Sequence, residues 1–462
     1  MTAEDPTATD PGWVDEVLFA GRPADVCLRL PEPIDRATLH RLVTAAQDRL
    51  TAAGLRPGGA AALRLPPSLA YVVNLLATWR AGAQAILLDH RLTDHEVDRA
   101  LVRLTPQVVV APIRTGGGAL RIFVDVTEGV TRYADRPAVS GHAVIQLSSG
   151  STGPSKVIGR TAADLVAEVH RYTRIDGVAL PGERIILLPS MVHVLGLVGG
   201  LLYGLRAGVE LVPPERLSGD AVLAAISADA TPATVLGVPF HIGLLASTRP
   251  AGPLPQLRRM TTGGELVQAA VAQAFTDRYG VPLGNMYGMT EVGVIGTDLH
   301  GSHRPSIAPA PGIAVRESDG ELWVSCPASP YVGLSDPTRW ADGWLHTRDA
   351  GTVDPDTGLV TVRGRLDSQV SVGGMKVDLT EVEATVAGLA GVAAAVVVWD
   401  DGITAYVQPD GPLSEETLDK LLAGRLAGYK RPRVLHLLDQ LPRTTTGKLV
   451  RSTDALRSAA TP

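Results

Sequence analysis

Four short segments of the sequence combine residue types that could bind a nucleotide and act on it. The first, residues 148–156, reads Ser-Ser-Gly-Ser-Thr-Gly-Pro-Ser-Lys and directly follows the apolar run 144–147. A loop of this kind after a strand offers backbone N–H groups that converge on a phosphate, and its lysine adds positive charge. The segment lacks the GxxxxGK[ST] pattern, so it does not predict an ordinary P-loop NTPase. A flexible turn is the alternative interpretation.

The other three segments predict chemistry only in combination. Residues 285–291, Asn-Met-Tyr-Gly-Met-Thr-Glu, could stack a base, hydrogen-bond a phosphate and hold Mg²⁺. Residues 347–351, Thr-Arg-Asp-Ala-Gly, place a carboxylate where it could chelate a ribose diol or only cap a turn. Residues 441–449 carry Lys448 on a glycine-containing loop, which alone indicates a solvated charge.

Composition limits the class of protein to which these segments can belong. The 462 residues suffice for two or three domains with full-sized cores. Hydrophobic residues make up 45% and charged residues 19%, which is typical of a soluble globular protein, and the net charge of -6 predicts no nucleic-acid partner. Cys27 and Cys326 lie far apart in sequence, so neither a disulfide framework nor a zinc site is expected.

The sequence also predicts a cytoplasmic protein with no membrane segment. Its N-terminus is acidic and has no apolar core, unlike a secretory signal. The most apolar stretch, 192–212, is interrupted by His193, Arg206 and five glycines, so we expect a buried helix and strand there and not a membrane span.

The apolar periodicity predicts the elements that must position these segments. Strand-length apolar runs alternate with amphipathic helical stretches, as in α/β units with parallel sheets. Examples of such runs are residues 83–88, 107–111, 185–188 and 234–237. Shorter strands with hairpin spacing follow at residues 320–325, 343–349 and 358–362. The C-terminal part then predicts helix 380–387, strand 393–399 and helix 415–426.

We therefore predict an α/β fold with two domains. Residues 1–365 form a large N-terminal domain of stacked mixed or parallel sheets with helices, which includes a small β-rich subdomain at 312–365. Residues 366–367 form a hinge, and residues 368–462 form a mobile α+β lid domain.

Taken in order, the segments SSGSTGPSK, YGMTE, GWLHTRDAG, GRLD and PRTTTGK resemble the motifs of the adenylate-forming superfamily. This superfamily includes acyl- and aryl-CoA synthetases, luciferase-like enzymes and the adenylation domains that load carrier proteins. The resemblance extends from Trp79 to Lys448. It implies that a substrate carboxylate attacks the α-phosphate of ATP, which gives an acyl adenylate and pyrophosphate, and that a thiol then takes the acyl group.

The resemblance also implies roles for individual residues. Lys448 would bridge the carboxylate and the α-phosphate, and its contribution would be mainly electrostatic. Thr290 would contact phosphate, Glu291 would hold Mg²⁺, and His193 would lie against the acid. The implied nucleotide-binding residues are Ser148, Ser149, Gly150, Ser151, Thr152, Gly153, Lys156, Gly264, Glu265, Asn285, Met286, Tyr287, Gly288, Asp349 and Arg365. Asp349 would bind both ribose hydroxyls with help from Arg365.

The same resemblance implies a movable small domain and a thiol acceptor. Rotation about Asp367 would replace Lys448 by the strand 372–376, where Gly373 and Gly374 leave room for a phosphopantetheine arm. The acceptor is coenzyme A or the phosphopantetheine of an acyl carrier protein, and the sequence does not choose between them. The basic turn 429–433 could meet either partner or be merely solvated.

The expected pocket for the acid is apolar with one or two imidazoles. Its candidate residues are His193, Val238, Phe240, His241, Gly263, Met289, Val294 and Ile295. Residues 188–196 contain no carboxylate, so a standard α-amino acid would bury an unpaired ammonium and is disfavoured. A small aromatic or short branched acid is favoured. His193, Phe240 and His241 could instead face the core.

Alternative functions stay open at this point. A non-α amino acid could be activated for carrier-protein loading if Glu265 or another carboxylate pairs with its amine. A kinase would release ADP. A non-catalytic nucleotide-binding homologue is disfavoured because Thr290, Glu291, Asp349 and Lys448 are all retained. Arg348 replaces a glycine common in the superfamily, and Glu265 replaces a small residue, which leaves the details of nucleotide contacts open.

Overall fold

The computed structural model describes residues 11–30, 32–116, 121–148, 156–264, 267, 269–366, 368–442 and 449–460. These residues form two compact units. The first unit contains the described residues of 11–90, 104–147 and 157–364, and the second contains those of 91–103, 148–156 and 365–460. Within the described ranges, no helix is both long and apolar enough to cross a membrane.

A mixed sheet, here called the large sheet, organises the first unit. Among the described residues it has nine strands. The order across it is Ala308–Pro309, Gly293–Asp298, Leu283–Met289, Leu257–Gly263, Ala233–Gly237, Arg184–Leu187, Glu210–Val212, Val26–Arg29 and Pro33–Asp35. The central strands pair in parallel, and the strands at the two edges pair antiparallel. Ala233–Gly237 is buried at every position because parallel strands are covered on both faces.

A further sheet of the first unit, here called the second sheet, carries the segment that leads into the predicted phosphate loop. Six of the described strands form it, in the order Asp125–Arg132, Val108–Gly116, Ala60–Leu63, Gln84–Leu87, Val144–Ser148 and Lys156–Arg160. The predicted strand at 83–88 is confirmed, and the one at 107–111 continues to Gly116 as a hairpin with Asp125–Arg132.

Antiparallel strands form the small β-rich subdomain that the hairpin spacing predicted. The strands of this subdomain sheet are Val315–Ser318, Glu321–Ser325, Trp340–Ala341, Trp344–Val353 and Val360–Arg365. Together with the two sheets of the first unit, this subdomain confirms the predicted α/β fold class.

Some helices of the first unit begin at polar caps that the sequence supplies. Asp35, Ser68 and Thr161 each accept a backbone N–H of the first helical turn, which satisfies a donor that the helix leaves open. The α-helices are Arg36–Ala52, Leu69–Arg80, Ala162–Tyr172, Tyr203–Ala207, Gly219–Ser227, Pro239–Ser247 and Ala269–Tyr279, and the π-helical turns are Val14–Leu18 and Leu195–Leu202.

A buried ion pair fastens helix Ala162–Tyr172 to the second sheet and to the large sheet. Arg160 Nη1 lies 2.5 Å from Glu168 Oε2, and both side chains are almost fully buried. Glu168 Oε1 also accepts the N–H of Val294 at 2.9 Å. One carboxylate therefore joins three elements of the first unit.

Replacing Glu168 by Ala should lower the free energy of unfolding by about 3–5 kcal/mol, because it leaves the buried charge of Arg160 uncompensated. Denaturant unfolding measures the change. Glu416→Ala is the control, since Glu416 forms only an exposed pair with Lys420 and its loss should change little. A loss as small as that of the control would show that the Arg160–Glu168 pair does not stabilise the fold.

The second unit is a small α+β module. Its strands are Gln369–Val372 with Met375–Asp378, and Val392–Trp399, Ile403–Pro409 and Val434–Leu437. Its helices are Leu379–Ala387, Glu415–Ala423 and Thr453–Ala460, with a 3₁₀ turn at Gly428–Lys430. Helix Glu415–Ala423 is capped at its C-terminus by Gly424, so it ends before residue 426, the predicted end. The domain limits at 365 and 368 stay predictions.

The second unit also includes most of helix Asp94–Leu104, which the sequence placed with the first domain. Lys430 Nζ lies 2.7 Å from Glu96 of this helix and 3.6 Å from Glu381. Burial alone would lower the pKa of Lys430, but Glu381, Tyr429 and Glu96 outweigh it and raise the pKa. Lys430 is thus a buried, paired cation and not part of a solvated basic turn.

Candidate active site

The large sheet gathers several predicted site segments at one edge. Its parallel strands end at the same side, and ligands of such sheets bind outside the carboxyl ends. His193 follows strand Arg184–Leu187, Val238 follows Ala233–Gly237, and Thr290 follows Leu283–Met289. Gly263 ends strand Leu257–Gly263 between them.

The loop that carries His193 is fixed against the second sheet. Tyr71 Oη donates to the carbonyl of Met191 at 2.9 Å, and Gln146 Nε2 donates to that of Val192 at 2.5 Å. His193 Nε2 lies 3.8 Å from Oδ2 of the buried Asp89. Asp89 was not among the residues predicted from the sequence, although a polar residue directly after the predicted strand 83–88 was an available signal.

A hydrogen bond joins the predicted adenine and ribose sites. Tyr287 Oη donates to Asp349 Oδ2 at 2.6 Å, from the large sheet to strand Trp344–Val353 of the subdomain sheet. Asp349 is buried, and its own N–H donates to Thr347 Oγ1 at 3.0 Å. The two residues that the resemblance assigned to the nucleoside are therefore in direct contact.

Arg348, which replaces a glycine common in the superfamily, adopts a backbone conformation that favours glycine. Its φ is 61°, in the left-handed region. The N–H of Arg348 donates to Glu321 Oε1 at 2.8 Å, and its Nη2 donates to the carbonyl of Thr338 at 2.6 Å. These contacts offset the cost of a left-handed backbone at a residue other than glycine, which is about 1–2 kcal/mol. Arg348 in place of glycine therefore leaves the adjacent Asp349 in position.

The predicted phosphate and metal residues follow strand Leu283–Met289 in a turn. Thr290 and Glu291 are both half-buried there. Glu291 Oε1 accepts a hydrogen bond of 3.1 Å from Tyr331 Oη. Burial and the Glu291 carboxylate raise the pKa of Tyr331 above its usual range, so its phenol keeps the proton. The sequence analysis missed Tyr331, because nothing in the local sequence connects it with Glu291.

The donor set at Glu291 fits a Mg²⁺ ion that arrives with a nucleotide. Among the described residues, no group of three or more His, Cys, Asp and Glu side chains is arranged to hold a metal by itself. Nucleotide-bound Mg²⁺ usually takes only one or two protein carboxylates, and phosphate oxygens and water complete its coordination. A single carboxylate beside a threonine is thus a suitable donor set.

The candidate pocket residues lie in three different environments. The His241 Nδ1 accepts the N–H of Val238 at 3.0 Å, and burial lowers the pKa of His241 to about 4, so this imidazole is neutral at pH 7. Val294 and Ile295 are fully buried in strand Gly293–Asp298. Phe240 is 54% exposed, so it does not belong to the core.

A close backbone contact explains why residue 263, at the end of strand Leu257–Gly263, is a glycine. A Cβ added to Gly263 would lie 2.7 Å from the carbonyl oxygen of Met286. The side chain of Met286 is buried, and its Sδ accepts the hydroxyl of Tyr172 at 3.1 Å. Asn285 and Gly288 lie in the same strand, whereas Met289 packs on the cluster around Tyr331. Gly264 follows with a φ of 91°.

Several predicted site residues lie outside the described ranges. They are Ser149, Gly150, Ser151, Thr152, Gly153, Glu265, Asp367 and Lys448. Ser148 ends the strand before the predicted phosphate loop, and Lys156 begins the strand after it. In the second unit, the predicted strand 372–376 is wrong: Gly373 and Gly374 form a two-residue hairpin turn with φ of 57° and 83°, which glycine adopts readily. Arg365 ends strand Val360–Arg365.

Family models match most of the chain. The model of AMP-binding enzymes matches residues 21–322, and that of the AMP-binding enzyme C-terminal domain matches residues 381–448. The chain belongs to the AMP-binding enzyme family. This confirms the adenylate-forming superfamily that the motifs indicated.

Named relatives of this AMP-binding enzyme act on aromatic acids. A feruloyl-CoA synthase of an Amycolatopsis species is 30% identical over 90% of the chain and 92% of that protein. A p-hydroxybenzoic acid–AMP ligase, FadD22, of Mycobacterium marinum is 26% identical over 96% of the chain and 67% of that protein. The solved o-succinylbenzoate CoA synthetase of Bacillus subtilis shares the fold, with a TM-score of 0.80 at 23% identity and 98% coverage of both chains.

Proposed function

We propose that the protein activates a small carboxylic acid with ATP and transfers the acyl group to a thiol. The observation that carries this proposal is the contact between Tyr287 and Asp349, with Thr290 and Glu291 next along the chain. Tyr287 would stack on the adenine, and Asp349 would bind the ribose diol. Thr290 would contact a phosphate, and Glu291 would hold the Mg²⁺ that accompanies the phosphates. These groups therefore match the successive parts of ATP. The family supports the same reaction.

In this mechanism the chain first fixes the nucleotide. Asp349, held by Tyr287, accepts hydrogen bonds from the ribose hydroxyls, and Thr290 donates to a phosphate. Glu291 would hold Mg²⁺, which would neutralise charge on the reacting phosphates. The loop at 148–156 holds the β- and γ-phosphates.

The reaction itself exchanges one phosphorus–oxygen bond for another. A carboxylate oxygen of the acid attacks the α-phosphorus, and the bond from that phosphorus to the pyrophosphate oxygen breaks. Lys448 stabilises the charge that shifts between the carboxylate and the α-phosphate. The thiol then loses its proton to solvent, its sulfur attacks the acyl carbon, and AMP leaves with the former carboxylate oxygen.

We propose a small aromatic acid as the substrate. The edge that carries His193 and His241 also carries the buried apolar side chain of Val238, and His241 is neutral at pH 7. The names of the feruloyl-CoA synthase and the p-hydroxybenzoic acid ligase support this class. A non-α amino acid is the second candidate, because the buried Asp89 near His193 is a carboxylate that could pair with an amine. A short branched acid is the third.

For the acceptor we propose coenzyme A or the phosphopantetheine of an acyl carrier protein. The hairpin turn at Gly373 and Gly374 offers a surface without side chains to a slender arm. The name of the feruloyl-CoA synthase supports coenzyme A as the acceptor, and the carrier protein is the alternative. A thioester assay with each of the two thiols distinguishes between them.

Acid-dependent exchange of labelled pyrophosphate into ATP tests the proposed substrate class. The panel contains p-hydroxybenzoate, ferulate, 2-methylpropionate, β-alanine and L-phenylalanine. Aromatic acids should give rates at least about 100-fold above L-phenylalanine, because an unpaired buried ammonium costs several kcal/mol. Phenylpropionate is the matched control, since it lacks only the ammonium of L-phenylalanine. Exchange fastest with L-phenylalanine would contradict the aromatic-acid assignment, and no exchange with any acid would contradict the proposed function.

A further inference from the structure

Tyr331 occupies a rigid position beside the predicted metal carboxylate. It lies in the segment of the chain that connects strands Glu321–Ser325 and Trp340–Ala341 of the subdomain, and it is 7% exposed. Its ring belongs to a buried cluster with Ile158, Cys326 and Leu345. Such packing leaves the ring few alternative rotamers, so the position of its hydroxyl is set by the fold.

The backbone around Tyr331 is bonded to the strand that leaves the predicted phosphate loop. The N–H of Gly159 donates to the carbonyl of Pro330, and the N–H of Val332 donates to that of Val157, both at 2.9 Å. Ile158 and Tyr331 thus form an antiparallel bridge. A displacement of this strand would therefore move Tyr331 with it.

The hydroxyl of Tyr331 reaches across to the turn after strand Leu283–Met289. It donates to Glu291 Oε1 at 3.1 Å. Met289 and Val292, on either side of this turn, pack against the cluster that holds the tyrosine ring. The carboxylate is therefore held by a hydrogen bond, and the turn that carries it is held by packing.

We infer that Tyr331 is a positioning residue that orients the Glu291 carboxylate for the Mg²⁺ of the bound nucleotide. The inference rests on the proposed function, since it takes Glu291 as the metal ligand. Hydrogen-bond partners of metal ligands fix the direction of the ligand, and their loss typically lowers metal affinity by about 10–100-fold. Tyr331 also connects this carboxylate to the strand that follows the phosphate loop.

Tyr331→Phe tests the inference because it removes the hydroxyl and keeps the ring in the buried cluster. Binding of Mn²⁺ to the complex with a non-hydrolysable ATP analogue, followed by electron paramagnetic resonance, should weaken about 10-fold or more. Pyrophosphate exchange should need correspondingly more Mg²⁺ and recover to near the wild-type rate when Mg²⁺ saturates. Tyr279→Phe is the matched control, since its hydroxyl donates to the carbonyls of Leu245 and Thr248 and its loss should leave Mn²⁺ binding unchanged.

Glu291→Gln separates this inference from the proposed function. If Glu291→Gln weakens Mn²⁺ binding and Tyr331→Phe does not, the positioning role is wrong and the proposed function stands. If Glu291→Gln leaves Mn²⁺ binding unchanged, Glu291 is not the metal ligand and the positioning role is wrong, whereas acid-dependent formation of AMP and pyrophosphate still tests the proposed function. In the double variant, Tyr331→Phe should add no further loss, because its effect passes through Glu291, whereas a merely structural effect would add to that of Glu291→Gln.

A second variant keeps the inference testable if Tyr331→Phe does not fold. Glu291→Asp keeps the charge but withdraws the carboxylate from the Tyr331 hydroxyl by one methylene. Mn²⁺ binding by this variant should weaken about 10-fold or more, as for Tyr331→Phe. Binding equal to that of the wild type would overturn the positioning role.

Discussion

Replacing Lys448 by Ala should lower the rate of acyl-adenylate formation by about 10²–10³-fold, as expected for the loss of one charge that stabilises the transition state. Transfer from a pre-made acyl adenylate to the thiol should stay within a few-fold of wild type, because the α-phosphate is no longer attacked in that step. Pyrophosphate exchange measures the first half-reaction, and thioester formation from the synthetic adenylate measures the second.

Lys420→Ala is the control for this experiment. Lys420 is an exposed lysine of the same C-terminal domain and pairs with Glu416 on its own helix, at 2.6 Å. Its loss should affect neither half-reaction. Equal losses in both half-reactions for Lys448→Ala would show that Lys448 does not act on the adenylation step alone.

Replacing Asp349 by Ala should lower kcat/KM for ATP by about 10²–10³-fold. Hydrogen bonds to a charged group contribute about 1.5–3 kcal/mol each, and in the proposed mechanism this one carboxylate accepts from two ribose hydroxyls. The loss should appear mainly in KM, because the ribose contacts persist unchanged from the bound substrate to the transition state. Steady-state kinetics at saturating acid measures it.

Two comparisons make the Asp349 test specific. Tyr287→Phe removes only the donor to Asp349 and keeps the ring, so its effect should be smaller, about 10-fold or less. The wild type should prefer ATP to 2′-deoxy-ATP, and Asp349→Ala should lose that preference. An Asp349→Ala enzyme that still discriminates between the two nucleotides would place the ribose elsewhere.

The α/β core was predictable because burial leaves a strong local pattern. Strands Arg184–Leu187 and Ala233–Gly237 are buried at every residue, so they read as continuous apolar runs between helical stretches. The turn at Gly373 and Gly374 was not predicted, because the segment 372–376 was read as one strand, although two adjacent glycines are a signal for a hairpin turn with positive φ. The order of the motifs also predicted the family, which composition alone could not predict.

Contacts between distant parts of the chain were not predictable in this way. Tyr331 meets Glu291 across 40 residues, and Lys430 meets Glu96 across 334. Neither partner changes the local pattern around the other, so no periodicity or turn signal records the pairing. The placement of helix Asp94–Leu104 was missed because its amphipathic sequence predicts a helix and not the surface that it covers.

Identification of the nucleotide products tests the central claim most directly. The intact protein is incubated with ATP, Mg²⁺, p-hydroxybenzoate and coenzyme A, and the products are separated by ion-exchange chromatography. We expect AMP and pyrophosphate in equal amounts, each matched by one acyl thioester and absent without the acid. Formation of ADP, or AMP release that does not depend on any acid, would contradict the assignment of this protein as an acid-activating, AMP-forming ligase.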